Sequence, residues 1–181
     1  MSILKDSIIN GIIDREGDFV NNPNDSGGPT RWGITQQVAR ENNYIGPMER
    51  LPKHLAFSIY EKRYWAPLNL DAIEKLSTPI TQELADTAAN QGVNRAARFL
   101  QRALNVLNNK ATQWPDLVVD GQLGDKTIEA LKKYLFIRGI AGEVVLFNML
   151  NSLQGAFYIE LAERREKDEE FIFGWFTGRV S

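Results

Sequence analysis

The stretch from Arg15 to Thr35, REGDFVNNPNDSGGPTRWGIT, constrains this chain more than any other, because it cannot be helix. Pro23 and Pro29 lack a backbone N–H, and the Asn-Asp and Gly-Gly pairs favour turns with special backbone angles. Ahead of it Leu4, Ile8, Ile9, Ile12 and Ile13 recur at helical spacing, so residues 3–15 are predicted to form an amphipathic helix. Behind it Thr35 suits the N-cap of a helix running to about Asn43. Glu16 therefore sits at or just past the first helix's C-terminus. The partial negative charge of that helix end disfavours a second negative charge and favours the protonated carboxyl that a general acid needs. Asp25 and Thr30 follow on the turn.

Composition narrows the chemistry. There is no cysteine, and His54 is the single histidine. Zinc sites are built mainly from those two residue types, and a Ser–His or Cys–His hydrolase needs a well-placed imidazole, so acid–base work by carboxylates is what remains. No metal and no organic cofactor is implied. A formal net charge of −2 makes neither nucleic acid nor an anionic membrane an obvious partner. With 181 residues, 43% of them hydrophobic, the chain can bury one good core, or a main lobe and a smaller one. The N-terminus is charged at Lys5, Asp6, Asp14 and Arg15, unlike a signal peptide. The longest apolar patch, Ile140 to Leu150, is interrupted by Gly142, Glu143 and Asn148 and is too short to span a bilayer. Synthesis in the cytosol, without export signal or stable membrane insertion, is the expectation.

The rest of the chain reads as helix. A helix from Pro52 carries Tyr60 and Tyr64 and closes at Trp65-Ala66-Pro67; both tyrosines could stack on a sugar, although aromatics at helical spacing are more often core. From Pro79 a helix runs to Gly92, a typical C′ glycine. Asp86 and Asn90 share a face in its last turn. They could tie down backbone, or Asn90 or Gln91 could hydrogen-bond a ligand. Val93 to Leu107 is a further helix, with Arg95, Arg98 and Arg102 expected as a solvated face or as ion-pair partners. Asp120-Gly121 and Gly124 form turns that lead into a helix bearing Ile128, Leu131 and Leu135, and the longest helical pattern runs from Glu143 to about Lys167. Phe171 to Val180 is too apolar for a loose tail and should pack back.

These stretches together resemble glycoside hydrolase family 108, the phage endolysins and related muramidases. The likeness rests on Glu16, Gly17, Asn22, Pro23, Asp25, Gly27, Gly28, Thr30, Gly33 and Ile34. It extends through Tyr64-Trp65, Asp86 with Asn90 and Gly92, and the pattern from Ala97 to Asn105. A D-G-x-x-G-x-x-T run from Asp120 to Thr127, shared by small peptidoglycan-binding modules, and Phe171, Gly174, Trp175, Arg179 and Val180 complete it. Asp18 stands where the family usually has a second Gly and Phe19 where it has Tyr, which leaves Asp18 and Asp25 both open as the partner of Glu16. The resemblance implies a mainly α, lysozyme-like helical fold with a short β-hairpin or loop carrying the active site. It implies a catalytic lobe at 1–92 and a C-terminal, peptidoglycan-binding-like helical region at 93–181.

The same resemblance implies an enzyme that hydrolyses the β-1,4 linkage between N-acetylmuramic acid and N-acetylglucosamine in peptidoglycan. Glu16 would be the acid, with Asp25 and Thr30 handling the water and inversion as the outcome. Tyr60, Tyr64, Asn90 and Gln91 are the candidate substrate contacts, and a monomer is expected. An endolysin of this kind would reach the wall through a holin-made lesion. Two other readings stay open: a lytic transglycosylase, which closes an anhydro ring and needs no water-handling Asp, and a non-catalytic wall-binding or phage structural module.

Overall fold

The computed structural model describes residues 2–20 and 28–178. Its contacts divide the chain into two compact units, Met1–Ala66 and Pro67–Ser181.

The first unit opens with α1, Ile3–Glu16, whose N-cap Ser2 accepts a hydrogen bond from Lys5 N and whose buried face is Ile9, Ile12 and Ile13. Gly17, at φ 81°, ends it in a conformation a β-carbon would strain. A small antiparallel hairpin follows, β1 (Thr30–Arg31) with β2 (Ile34–Thr35), extended by a bridge from Val20 to Thr30. Thr35 then caps α2, Gln36–Glu41, as its side chain predicts. The helix expected from Pro52 is less regular than its periodicity suggests. It is α3, Lys53–Tyr60, continued by a π-helical turn, Glu61–Trp65, and a short 3-10 segment, Ala66–Leu68. The widened turn puts Trp65 in the core, 2% exposed.

The second unit is a helical assembly. A short α4, Leu70–Glu74, precedes α5 (Thr78–Gln91), α6 (Val93–Leu107) and α7 (Asp125–Arg164), which pack pairwise on one another. Their shared core holds Ile80, Leu84, Ala97, Leu100, Leu104, Leu131 and Leu150. Helix α7 is broken at Gly139 (φ 58°, ψ −150°), so the last long helix begins at about residue 140 rather than at Glu143. Across the break the Tyr134 hydroxyl donates to Gly142 O at 2.8 Å. The apolar tail is helix α8, Glu169–Gly178, and packs back as expected: Trp175 stacks on Tyr158 with centroids 4.6 Å apart. The molecule is of the mainly α, lysozyme-like class, with one small hairpin.

The turn before α7 shows why its neighbouring motifs exist. Gln101, 1% exposed, donates to Asp120 Oδ1 (2.8 Å) and to Gln122 O (3.0 Å) and accepts from Gly121 N (2.9 Å). Asn105 exchanges hydrogen bonds with the backbone of Leu117 in both directions. Gly121 is at φ 81°, and a β-carbon there would lie 2.1 Å from Asn94 Nδ2. The glutamine and asparagine of the α6 pattern and the D-G turn are therefore two halves of one clasp.

Candidate active site

Glu16 is the last residue of α1, where the sequence places it, and its side chain is exposed. Its stem is not free. An ideal β-carbon on Gly33 would lie 3.0 Å from Glu16 Cγ and 3.1 Å from Glu16 Cβ, so the hairpin turn lies directly against the side chain. That turn is Trp32-Gly33, with φ of 55° and 72°, the left-handed pair typical of a two-residue hairpin loop. Trp32 tolerates this strain because it is tied from three sides. Its indole N–H donates to Leu51 O (3.2 Å), its carbonyl accepts from the Tyr60 hydroxyl (3.1 Å), and the guanidinium of Arg31 lies 4.9 Å from its ring centroid.

Tyr60 links α3 to this arrangement. It is 6% exposed, and a β-carbon on Gly33 would meet its hydroxyl at 2.3 Å. Burial raises its pKa well above the usual phenol value, and the charges of Glu16 and then Tyr64 add to the rise. The hydroxyl is thus a neutral donor near the Glu16 carboxylate. Its ring offers little open face to a sugar. Tyr64, half-buried and stacked on Tyr60 at 5.5 Å, retains more.

Thr30 heads β1, and its hydroxyl donates to Gly28 O at 3.3 Å. Asp18 is ion-paired with Arg31 (2.9 Å), which also donates to Glu49 O. Asp25 lies outside the described residues, as do Asn22, Pro23 and Gly27 of the same pattern and Arg179 and Val180 near the C-terminus. Glu16, Thr30, Tyr60 and Tyr64 all belong to the first unit.

Asn90 and Gln91 belong to the second unit. Asn90 is exposed and donates to Asp86 O in its own helix (2.9 Å), while Gln91 donates to Gln154 O (3.2 Å). Around them lies a polar node that periodicity did not reveal. Gln154, fully buried, donates to Asp86 Oδ2 and to Thr87 Oγ1, both at 3.2 Å. Thr87 donates in turn to Glu83 Oε1 (3.4 Å). Glu83 is 6% exposed, and its pKa is pushed up to about 7 by burial first and by Asp86 second, against the hydrogen bond from Thr87. The available signal was its i, i+3 spacing from Asp86; its partner Gln154 is too distant in sequence to be paired by pattern.

Residues 9–92 match the family model described as glycosyl hydrolase 108, and residues 95–180 match the one described as a predicted peptidoglycan domain. The solved structure of SagA from Brucella abortus superposes with a TM-score of 0.64 at 24% identity, covering 97% of this chain and 88% of that one. At that identity the likeness speaks for the fold. No curated protein sequence matches the chain.

Proposed function

Because residues 9–92 belong to the glycosyl hydrolase 108 family and residues 95–180 form a predicted peptidoglycan domain, we propose that this peptidoglycan-degrading glycoside hydrolase is an N-acetylmuramidase with Glu16 as its general acid. It would cut the β-1,4 bond between N-acetylmuramic acid and N-acetylglucosamine. Cleavage requires an acid to protonate the leaving oxygen and a second carboxylate to activate water on the other side of the sugar.

The observation that carries Glu16 is its position: the end of α1, its stem against Gly33, and the neutral Tyr60 hydroxyl beside it. The rigid turn limits the rotamers of the acid while its exposed carboxyl remains reachable. The ion pair of Asp18 with Arg31 already occupies that carboxylate, which favours Asp25 as the second one. Thr30 would help hold the water. Tyr64 is the better placed of the two tyrosines to meet a sugar ring, and Asn90 and Gln91 would meet substrate amides. In this reading the catalytic region spans 1–92 and the wall-binding region 93–181, and the enzyme acts as an endolysin released through a holin-made lesion.

The test is turbidity clearing of purified sacculi followed by mass spectrometry of the fragments. Glu16→Gln is expected to lower the rate by about 10²–10⁴-fold. The wild type should leave hydrolysed, reducing ends. Anhydro ends would replace the hydrolase by a lytic transglycosylase, and wild-type clearing by Glu16→Gln would remove the acid assignment.

A further inference from the structure

One face of α6 has a property that the proposed chemistry does not use. Arg95, Arg98 and Arg102 are spaced so that all three project from one stripe of the helix. They line a groove of about 660 Å³ that also includes Gln91, Gly92 and Val119. That size suits a small ligand. Among the described residues none of the three arginines forms an ion pair.

Neutral acceptors hold two of them instead. Arg95 donates to Gln91 O (3.0 Å), and its guanidinium lies 3.5 Å from the centroid of the Phe157 ring. Arg98 donates through Nε to Asn94 Oδ1 (2.8 Å) and through a terminal N–H to Val119 O (2.7 Å). Arg102 has no hydrogen-bond partner among the described residues. The nearby carboxylate of Asp120 is engaged by Gln101 Nε2 and Gln122 N. Glu160 is paired with Arg164; burial first and the charge of Arg164 second lower the pKa of Arg95, against the opposing charge of Glu160.

The groove therefore concentrates positive charge and is lined by no carboxylate, while Asp120 acts on Arg98 and Glu160 on Arg95 from outside it. The guanidiniums of Arg95 and Arg98 are already oriented, so little of their side-chain entropy remains to be lost on binding. Each keeps N–H donors to spare for bidentate recognition of a carboxylate. The uncapped N-terminus of α6, at Gly92 and Val93, forms one end of the groove and adds to the attraction for an anion. Val93, Phe99 and Val119 supply apolar lining for short side chains. The charge is local: the chain as a whole is acidic, which disfavours an extended polyanion.

We infer that this groove is a carboxylate-binding subsite for the stem peptides of peptidoglycan. The inference rests on the reading of the protein as a peptidoglycan hydrolase and adds to it the part of the polymer that the second unit holds. Stem peptides combine free carboxylates with methyl-bearing alanines, which is the combination of charge and apolar surface that the groove complements.

The test is calorimetric titration of the full chain carrying Glu16→Gln, so that no probe is cut. The probes are a disaccharide tetrapeptide muropeptide, the same muropeptide with its carboxylates amidated, the peptide-free disaccharide, and wall teichoic acid. Adding Arg98→Gln and Arg102→Gln should weaken muropeptide binding by about tenfold or more, as should amidation. Binding of the peptide-free disaccharide should not change. Arg102→Gln alone, which removes no hydrogen bond or ion pair among the described residues, should weaken binding in the same direction. Undiminished muropeptide binding by the arginine variants, or equal binding of the amidated probe, would overturn the assignment, as would preference for teichoic acid. Since the readout is binding, failure of the muramidase reading would show in clearing by Glu16→Gln and leave this result separate.

Discussion

Gly33 carries two requirements at one position: a positive φ and the space that Tyr60 and Glu16 occupy beside it. Gly33→Ala would add the cost of a left-handed β-carbon to a contact 2.3 Å from the Tyr60 hydroxyl, a destabilisation of roughly 2 kcal/mol or more. Urea denaturation should register that loss. Clearing activity should fall further than it does for Tyr60→Phe, which removes only the hydrogen bond to Trp32 O. Glu83 makes the opposite kind of demand, on protonation. Its folded pKa of about 7 lies above the ordinary value of 4.5, so the native state holds this proton more tightly than the unfolded chain. The associated stability is complete below the ordinary value and is lost as pH rises through about 7. The change is about 3 kcal/mol. Glu83→Gln should abolish that slope. Denaturation at about pH 5 and about pH 8 should show the wild type losing stability relative to the variant; parallel behaviour of the two proteins would contradict the buried, proton-holding role.

Between elements, the decisive contact is the clasp of α6 on the segment that leads into α7. Gln101 satisfies Gly121 N, Asp120 Oδ1 and Gln122 O with one side chain. Gln101→Ala should cost about 2–3 kcal/mol, because it strands partly buried backbone groups as well as losing bonds. Amide exchange at Gly121 should accelerate by more than exchange in α5. Periodicity identified both the helix and the turn, and the extent of α6 agrees with the expectation. It did not connect them, since hydrogen bonding between residues about twenty positions apart leaves no local pattern. The π-helical turn after α3 escaped for a related reason: the apolar spacing of Tyr60, Tyr64 and Trp65 is compatible with an ordinary helix until the core dictates where Trp65 must go. The break at Gly139, by contrast, falls between the two helical patterns expected there, and the second helix starts earlier than the expected Glu143.

For the molecule as a whole, cleavage and retention of the wall should be separable. Glu16→Gln should sediment with sacculi as the wild type does while failing to clear them, because the proposed acid lies in the first unit and the arginine groove in the second. Loss of sedimentation together with clearing would mean that binding depends on the acid itself. No helix among the described residues is long and apolar enough to cross a membrane. Much of this was legible along the chain. Helix periods, the N-cap at Thr35 and the stop at Gly92 depend on neighbours a few residues apart, where backbone sterics and side-chain spacing decide the outcome. What required the tertiary structure was everything settled by distant partners. Tyr60 is committed to the hairpin, Asp18 to Arg31 and Gln154 to Asp86, whereas the three arginines of α6 form no ion pair among the described residues. Burial and ion pairing depend on which surfaces meet in space, and a linear pattern does not encode that.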